Sequence, residues 1–117
     1  MIDHTSDART SRKYQRYIFS EPINVTRLHP ATVIPSIALE ISEGGMSAIA
    51  PEEFRVGEET ELLLNIPRGR LIVHAVVRNK NQFRYGFEFI DVTEEQRALI
   101  RNLCDSSPPY NGGIDQE

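Results

Sequence analysis

Four basic residues crowd into eight positions near the start of the chain: Arg9, Arg12, Lys13 and Arg16. No acidic residue lies between Ala8 and Ser20, although the 117-residue chain carries a formal net charge of -4. Arginine can grip a phosphate or a guanine edge with two donors and can stack on a base. Two arginines four positions apart therefore suit a phosphorylated purine better than two lysines would. Taken alone, the cluster also fits a solvated basic segment, which is the commoner origin of short basic runs.

A second motif, Glu40-Ile41-Ser42-Glu43-Gly44-Gly45, closes an apolar run that begins at Val33. A serine followed by paired glycines at the end of a strand offers a hydroxyl and exposed backbone amides. It also leaves room for a flat ligand to approach the main chain. Taken alone, this motif predicts only a turn.

Together the two motifs resemble the PilZ family, whose pattern is Arg-x-x-x-Arg in an N-terminal segment and Asp/Asn-x-Ser-x-x-Gly at a later strand end. The resemblance covers about residues 9–104 and includes Val56-Gly57, the segment 73–78 and Tyr85-Gly86-Phe87-Glu88-Phe89. PilZ domains are bacterial receptors for cyclic di-GMP. The resemblance therefore implies that this chain binds cyclic di-GMP.

The resemblance also implies roles for five residues. Arg12 and Arg16 would hold the phosphates and stack on the guanines, and Ser42 and Gly45 would meet the ligand from the barrel. Glu40 stands where the family has Asp or Asn. It keeps a carboxylate acceptor for guanine N1–H and N2–H but places that acceptor one methylene further out.

Composition predicts one soluble domain, with 39% hydrophobic and 26% charged residues. No apolar run approaches the ~18 residues that a membrane span needs, so we expect no membrane insertion. The polar start does not read as a signal peptide, and the single cysteine, Cys104, fits a reducing compartment. We therefore predict a cytoplasmic protein. The pI of about 5.4 disfavours nucleic acid as a partner.

Alternating apolar residues predict six strands joined by short turns, at residues 23–28, 33–42, 46–50, 61–66, 71–78 and 82–90. Pro35 is expected at a sheet edge or bulge, because proline cannot donate to a ladder. Phe54 is expected to cover a barrel end. The aromatic row Tyr85, Phe87 and Phe89 is expected in the core rather than as a base-stacking platform.

One helix is predicted near the C-terminus, since Thr93 and Gln96 form a capping box before a stripe of apolar residues: Leu99, Ile100, Leu103 and Cys104. The predicted fold class is mainly all-β, a six-stranded antiparallel β-barrel with a C-terminal α-helix, like PilZ domains. The predicted organisation is a flexible arm at 1–16 that carries the arginine motif, a barrel domain with its helix at 17–105, and a flexible tail at 106–117.

No enzyme is predicted. His4, His29 and His74 show no repeated metal-ligand spacing, and Ser42 lacks the preceding glycine of a nucleophile elbow. We therefore predict no catalytic residue and no metal, with cyclic di-GMP as a ligand and no other cofactor. A small-molecule hydrolase on a barrel ranks below the two binding hypotheses that follow.

The first hypothesis is a cyclic di-GMP receptor or adaptor whose N-terminal arm becomes ordered on ligand binding. It would signal through a downstream partner protein, which the sequence does not identify. The alternative is a protein–protein adaptor of the same fold that has lost cyclic di-GMP binding, which the Glu40 departure would permit. The two arginines at positions 12 and 16 favour the first hypothesis.

Overall fold

A computed structural model describes residues 14–67 and 69–110. These residues form seven strands and one helix: β1 (Tyr17–Ile18), β2 (Pro22–Leu28), β3 (Ala31–Ile41), β4 (Gly45–Ile49), β5 (Glu59–Ile66), β6 (Gly69–Asn81), β7 (Arg84–Ile90) and α1 (Glu94–Asp105). The six predicted strands correspond to β2–β7. β1 was not predicted, because two residues are too few to show alternation.

Strands β2–β7 close into an antiparallel barrel. Their order is β3-β2-β5-β6-β7-β4, and β4 pairs back onto β3. The predicted fold class, a six-stranded antiparallel barrel with a C-terminal helix, is confirmed. β1 pairs with the end of β3, where Tyr17 lies opposite Ile41 and Ile18 opposite Glu40.

Alternate residues of each strand point into the barrel and form its core, including Val25, Leu62, Leu64, Val73 and Val77, all fully buried. The aromatic row is also in the core, as predicted: Tyr85, Phe87 and Phe89 are no more than 7% exposed. Each large apolar side chain buried in this way stabilises the fold by about 1.5–3 kcal/mol.

Phe54 is fully buried at one end of the barrel, as predicted. Its ring meets Tyr85 edge-on with centroids 5.2 Å apart, and its backbone N–H donates to the Tyr85 hydroxyl at 3.2 Å. The Arg27 guanidinium lies 4.7 Å from the centroid of the same ring. The aromatic and cation–π contacts of Phe54 therefore fix the loop between β4 and β5.

β3 changes partners along its length. Residues 31–37 pair with β2, whereas pairing with β4 begins at Ile37. Within the described chain, Pro35 therefore has a paired strand on one side only, which agrees with its predicted edge position. A bulge between Ala38 and Glu40 shifts the register. Ala38 and Ile41 both point into the core, while Glu40 takes the outer face between them.

The capping box predicted for α1 is present. The Thr93 hydroxyl accepts the Gln96 N–H at 3.0 Å, and the Gln96 side chain accepts the Thr93 N–H at 3.0 Å. Ile100, Leu103 and Cys104 are buried against the barrel core and Leu99 packs there partly buried, which confirms the predicted stripe. In the part of the chain that the structure describes, no helix is long and apolar enough to cross a membrane.

β1 is paired on both sides. On one side the Phe19 N–H donates to the Leu39 carbonyl at 3.0 Å. On the other side the Ile18 N–H donates to Pro108 at 2.8 Å, and Tyr17 forms a bridge with Pro109. The strand that follows the predicted arm therefore lies beside the described start of the predicted tail. The division into arm, barrel and tail stays a prediction.

Candidate ligand-binding site

Glu40 is a carboxylate on the outer face of the barrel that is nevertheless only 4% exposed. An Arg16 Nη1–H donates to its Oε1 at 3.4 Å, and an Arg84 Nη2–H donates to its Oε2 at 2.5 Å. The side chains of Arg16 and Arg84 stay 40% and 45% exposed. The last residue of the arginine motif therefore contacts the first residue of the serine–glycine motif.

The pairing of the strands explains these contacts to Glu40. Arg16 directly precedes β1, and β1 runs antiparallel along the end of β3 where Glu40 lies. Arg84 is the first residue of β7 and faces Ile49 of β4, which in turn faces Ile37 of β3. Four strands, β1, β3, β4 and β7, therefore bring the two arginines to opposite sides of one carboxylate.

The three charges sum to one positive charge, since two guanidinium groups surround one carboxylate. A carboxylate so far removed from water must be paired, because an unpaired buried charge is strongly destabilising. Each Glu40 oxygen accepts one arginine N–H. The acceptor role predicted for Glu40 toward guanine would therefore compete with these two arginines.

The serine–glycine motif forms the tight turn between β3 and β4. The Ser42 N–H donates to the Gly45 carbonyl at 2.8 Å, and the Ser42 hydroxyl accepts the Gly44 N–H at 3.2 Å. That hydroxyl also donates to the Gly45 carbonyl at 3.3 Å. Ser42 is half-buried, so part of its surface remains open beside the turn.

The two glycines of this turn meet different neighbours. A Cβ at Gly45 would lie 2.1 Å from the carbonyl oxygen of Phe87, so the backbone of β7 excludes any side chain there. A Cβ at Gly44 would lie 2.7 Å from the ring of Tyr14, which belongs to the arginine motif. Tyr14 on Gly44 is thus a second contact between the two motifs.

Of the five predicted site residues, the structure places Arg16, Glu40, Ser42 and Gly45 around the last residues of β3 and the turn that follows. Arg12 lies outside the described residues. Sequence reasoning missed Arg84. The signal for it was a cation at a strand start, but only the cross-strand register of β4 and β7 shows that it faces Glu40.

Two further kinds of reactive group, metal-ligating side chains and a cysteine thiol, lie within residues 14–67 and 69–110. No cluster of three or more His, Cys, Asp or Glu residues there could hold a metal ion. Cys104 is 1% exposed, as its predicted place on the helix implies. Burial, helped by Glu43 and Asp105, raises the pKa of its thiol to about 11, so the thiol stays protonated and unreactive near neutral pH.

A family model described as PilZ domain matches residues 10–106 of the chain. The chain also resembles solved structures. The PilZ domain with c-di-GMP of YcgR from Escherichia coli is 18% identical, with a TM-score of 0.66 over 81% of this chain and 89% of that chain. The PilZ domain of CeSA from a cellulose-synthesizing bacterium is 15% identical, with a TM-score of 0.65 over 77% of this chain and 94% of that chain.

A third structure, the Bacillus subtilis inhibitor of motility (MotI/DgrA), is 20% identical, with a TM-score of 0.61. The match covers 77% of this chain and 48% of that longer chain. At identities of 15–20%, the three structures show that this chain shares their fold. No curated protein sequence matches the chain significantly.

Proposed function

Because the chain belongs to the PilZ domain family, whose model spans residues 10–106, we propose that it is a receptor for cyclic di-GMP that signals through a partner protein. The observation that carries this proposal is the contact between Arg16 and Glu40. It joins the arginine motif to the serine–glycine motif on one surface. The solved structure of YcgR with c-di-GMP supports the choice of ligand.

In this proposal the arginines provide most of the affinity. Arg12 and Arg16 bind the phosphates and stack on the guanines, because a guanidinium combines charge, paired donors and a flat face. Ser42 and Gly45 form the opposite wall, with the half-buried serine and its turn toward the ligand. Glu40 lies between these two groups and holds Arg16 at the rim.

Ligand binding is coupled to the ordering of the arm. The dinucleotide brings two phosphates and two guanine planes to the segment that precedes Tyr14, and charge-assisted hydrogen bonds draw that segment onto the barrel. The result is a surface that a partner protein can recognise. PilZ domains are receptor or adaptor domains rather than enzymes, so the signal passes by binding.

The second candidate is an adaptor that does not bind the dinucleotide. It is favoured by the pairing of Glu40, since each of its oxygens accepts an arginine N–H. In such a protein the Arg16–Glu40–Arg84 cluster would only stabilise the position of β1 on the barrel.

Calorimetric titration of the purified protein with cyclic di-GMP, with GTP as the control ligand, separates the two candidates. Arg12→Ala and Arg16→Ala should each weaken binding by roughly tenfold or more, because a charge-assisted contact contributes on the order of 1.5–3 kcal/mol. Arg70→Ala is the matched control, since this exposed arginine belongs to the β5–β6 hairpin. Absence of binding by the wild type would leave the adaptor as the function.

A further inference from the structure

We propose that Arg84 is the counter-ion of Glu40 and that it thereby leaves Arg16 available for a phosphate of the ligand. Arg84 is then a positioning residue, outside both motifs, in the site described above. The inference rests on the proposed function for its ligand, cyclic di-GMP.

Glu40 is bonded more closely to Arg84 than to Arg16. The Arg16 contact is 3.4 Å long, whereas charge-assisted N–H···O bonds are usually about 2.7–2.9 Å, and the Arg84 contact is the closer of the two. Arg16 therefore commits one N–H weakly and keeps most of its five donors. With 40% of its side chain exposed, it can present these donors to an anion.

Arg84 sets the net charge of the cluster that Arg16, Glu40 and Arg84 form. With Arg84 present, the cluster carries one net positive charge. Without Arg84, the charges of Arg16 and Glu40 would cancel. Glu40 has only 5% of its side chain exposed, so water could not replace the lost partner and Arg16 would be drawn into a full ion pair. A phosphate would then have to displace Arg16 from Glu40.

The length of the side chain at position 40 fits this arrangement. Glu40 lies on β3 and Arg84 on β7, with β4 between them. Adjacent strands are about 4.8 Å apart, so the two backbones are separated by two strand spacings. The extra methylene of glutamate, compared with aspartate, lets the carboxylate reach across β4 to the guanidinium.

A suppressor experiment tests the proposal. Binding of cyclic di-GMP is measured for the wild type, Arg84→Ala, Glu40→Gln, the double variant and the control Arg70→Ala. Arg84→Ala should weaken binding by roughly tenfold, and the double variant should bind within about threefold of Glu40→Gln, because no carboxylate is left to capture Arg16. Wild-type affinity in Arg84→Ala would overturn the proposal. An equal loss in both backgrounds would also overturn it, since Arg84 would then contact the ligand or support the fold.

A measurement without ligand separates failure of this inference from failure of the proposed function. The exchange of the Arg16 guanidinium hydrogens is followed by NMR, with the signals assigned from the spectrum of Arg16→Lys. Exchange should slow by roughly threefold or more in Arg84→Ala and return to the wild-type rate in the double variant. If the wild type does not bind cyclic di-GMP but this pattern holds, the function fails and the positioning role stands. Unchanged exchange in Arg84→Ala overturns the positioning role.

Discussion

The backbone N–H of Tyr110 donates to the carbonyl oxygen of Arg16 at 2.9 Å. Two residues further along the chain from Arg16, Ile18 donates to Pro108 at 2.8 Å. The segment that follows α1 therefore lies along the outer edge of β1, on the side away from β3. Through β1 the end of the arginine motif is tied both to the barrel and to the segment after the helix.

A chain shortened to end at Ser107 should lose protection at the Ile18 amide. This truncation removes both hydrogen bonds, and each contributes about 0.5–1.5 kcal/mol, so exchange at Ile18 should be faster by roughly tenfold. Hydrogen exchange measured by NMR reports this amide directly. A chain that ends at Tyr110 keeps both hydrogen bonds and is the control. Equal exchange in the two shortened chains would show that the pairing does not persist in solution.

Gly45→Ala should destabilise the fold by about 2 kcal/mol or more, because its Cβ would lie 2.1 Å from the backbone oxygen of Phe87. Gly44→Ala should cost less than Gly45→Ala, since its Cβ meets a side-chain ring, that of Tyr14, rather than backbone. Urea denaturation gives the free energy of unfolding of each variant. A stable Gly45→Ala protein would contradict the register between β4 and β7. The comparison also shows whether lost ligand binding in Gly45→Ala reflects the site or the fold.

Local patterns predicted most of this fold. Alternation located β2–β7, and Thr93 with Gln96 marked the start of α1, because each signal lies within a few neighbouring residues. The bulge before Glu40 could not be predicted, since it depends on pairing with β4. The bulge matters because it turns Glu40 to the outer face while Ala38 and Ile41 enter the core.

The candidate site was predicted only in part, because some of its contacts also depend on strand pairing. Arg16 and Glu40 were assigned by resemblance, and the structure brings them into contact. Arg84 was missed because it is 44 positions from Glu40, and only the closure of the barrel brings the two together. Contacts that depend on cross-strand register are beyond the periodicity of a single segment.

Glu58→Gln should flatten the dependence of stability on acid pH. The Arg27 side chain donates to Glu58 at 2.9 Å and lowers the pKa of its carboxyl group, with a further hydrogen bond from the Arg55 backbone. Because the folded pKa lies below the unfolded value of about 4.3, the stabilisation is complete above that value and is lost as the pH falls through the folded pKa. The pair is about one-quarter exposed, so the effect should be on the order of 1 kcal/mol.

Urea denaturation between roughly pH 3 and pH 7 measures this effect. Glu59→Gln is the matched control, since Glu59, the first residue of β5, follows Glu58 and is exposed. Its pH profile should follow that of the wild type. If Glu58→Gln and Glu59→Gln give the same profile, the ion pair with Arg27 does not contribute to stability in solution.

Cys104 should make the protein less stable as the pH rises above about 9. Burial raises the pKa of its thiol from 9.0 to about 11, and the carboxylates of Glu43 and Asp105 act in the same direction. Between these values the unfolded chain has released the thiol proton and the folded chain has not. The free energy of unfolding therefore falls with rising pH, by at most about 1.4 kcal/mol per pH unit from this group.

Urea denaturation from about pH 8 to pH 11 should show a steeper decline for the wild type than for Cys104→Ala, which has no thiol to titrate. Parallel declines would mean that the thiol ionises equally well in both states, and rapid labelling of the native thiol by iodoacetamide at about pH 8 would independently contradict its burial.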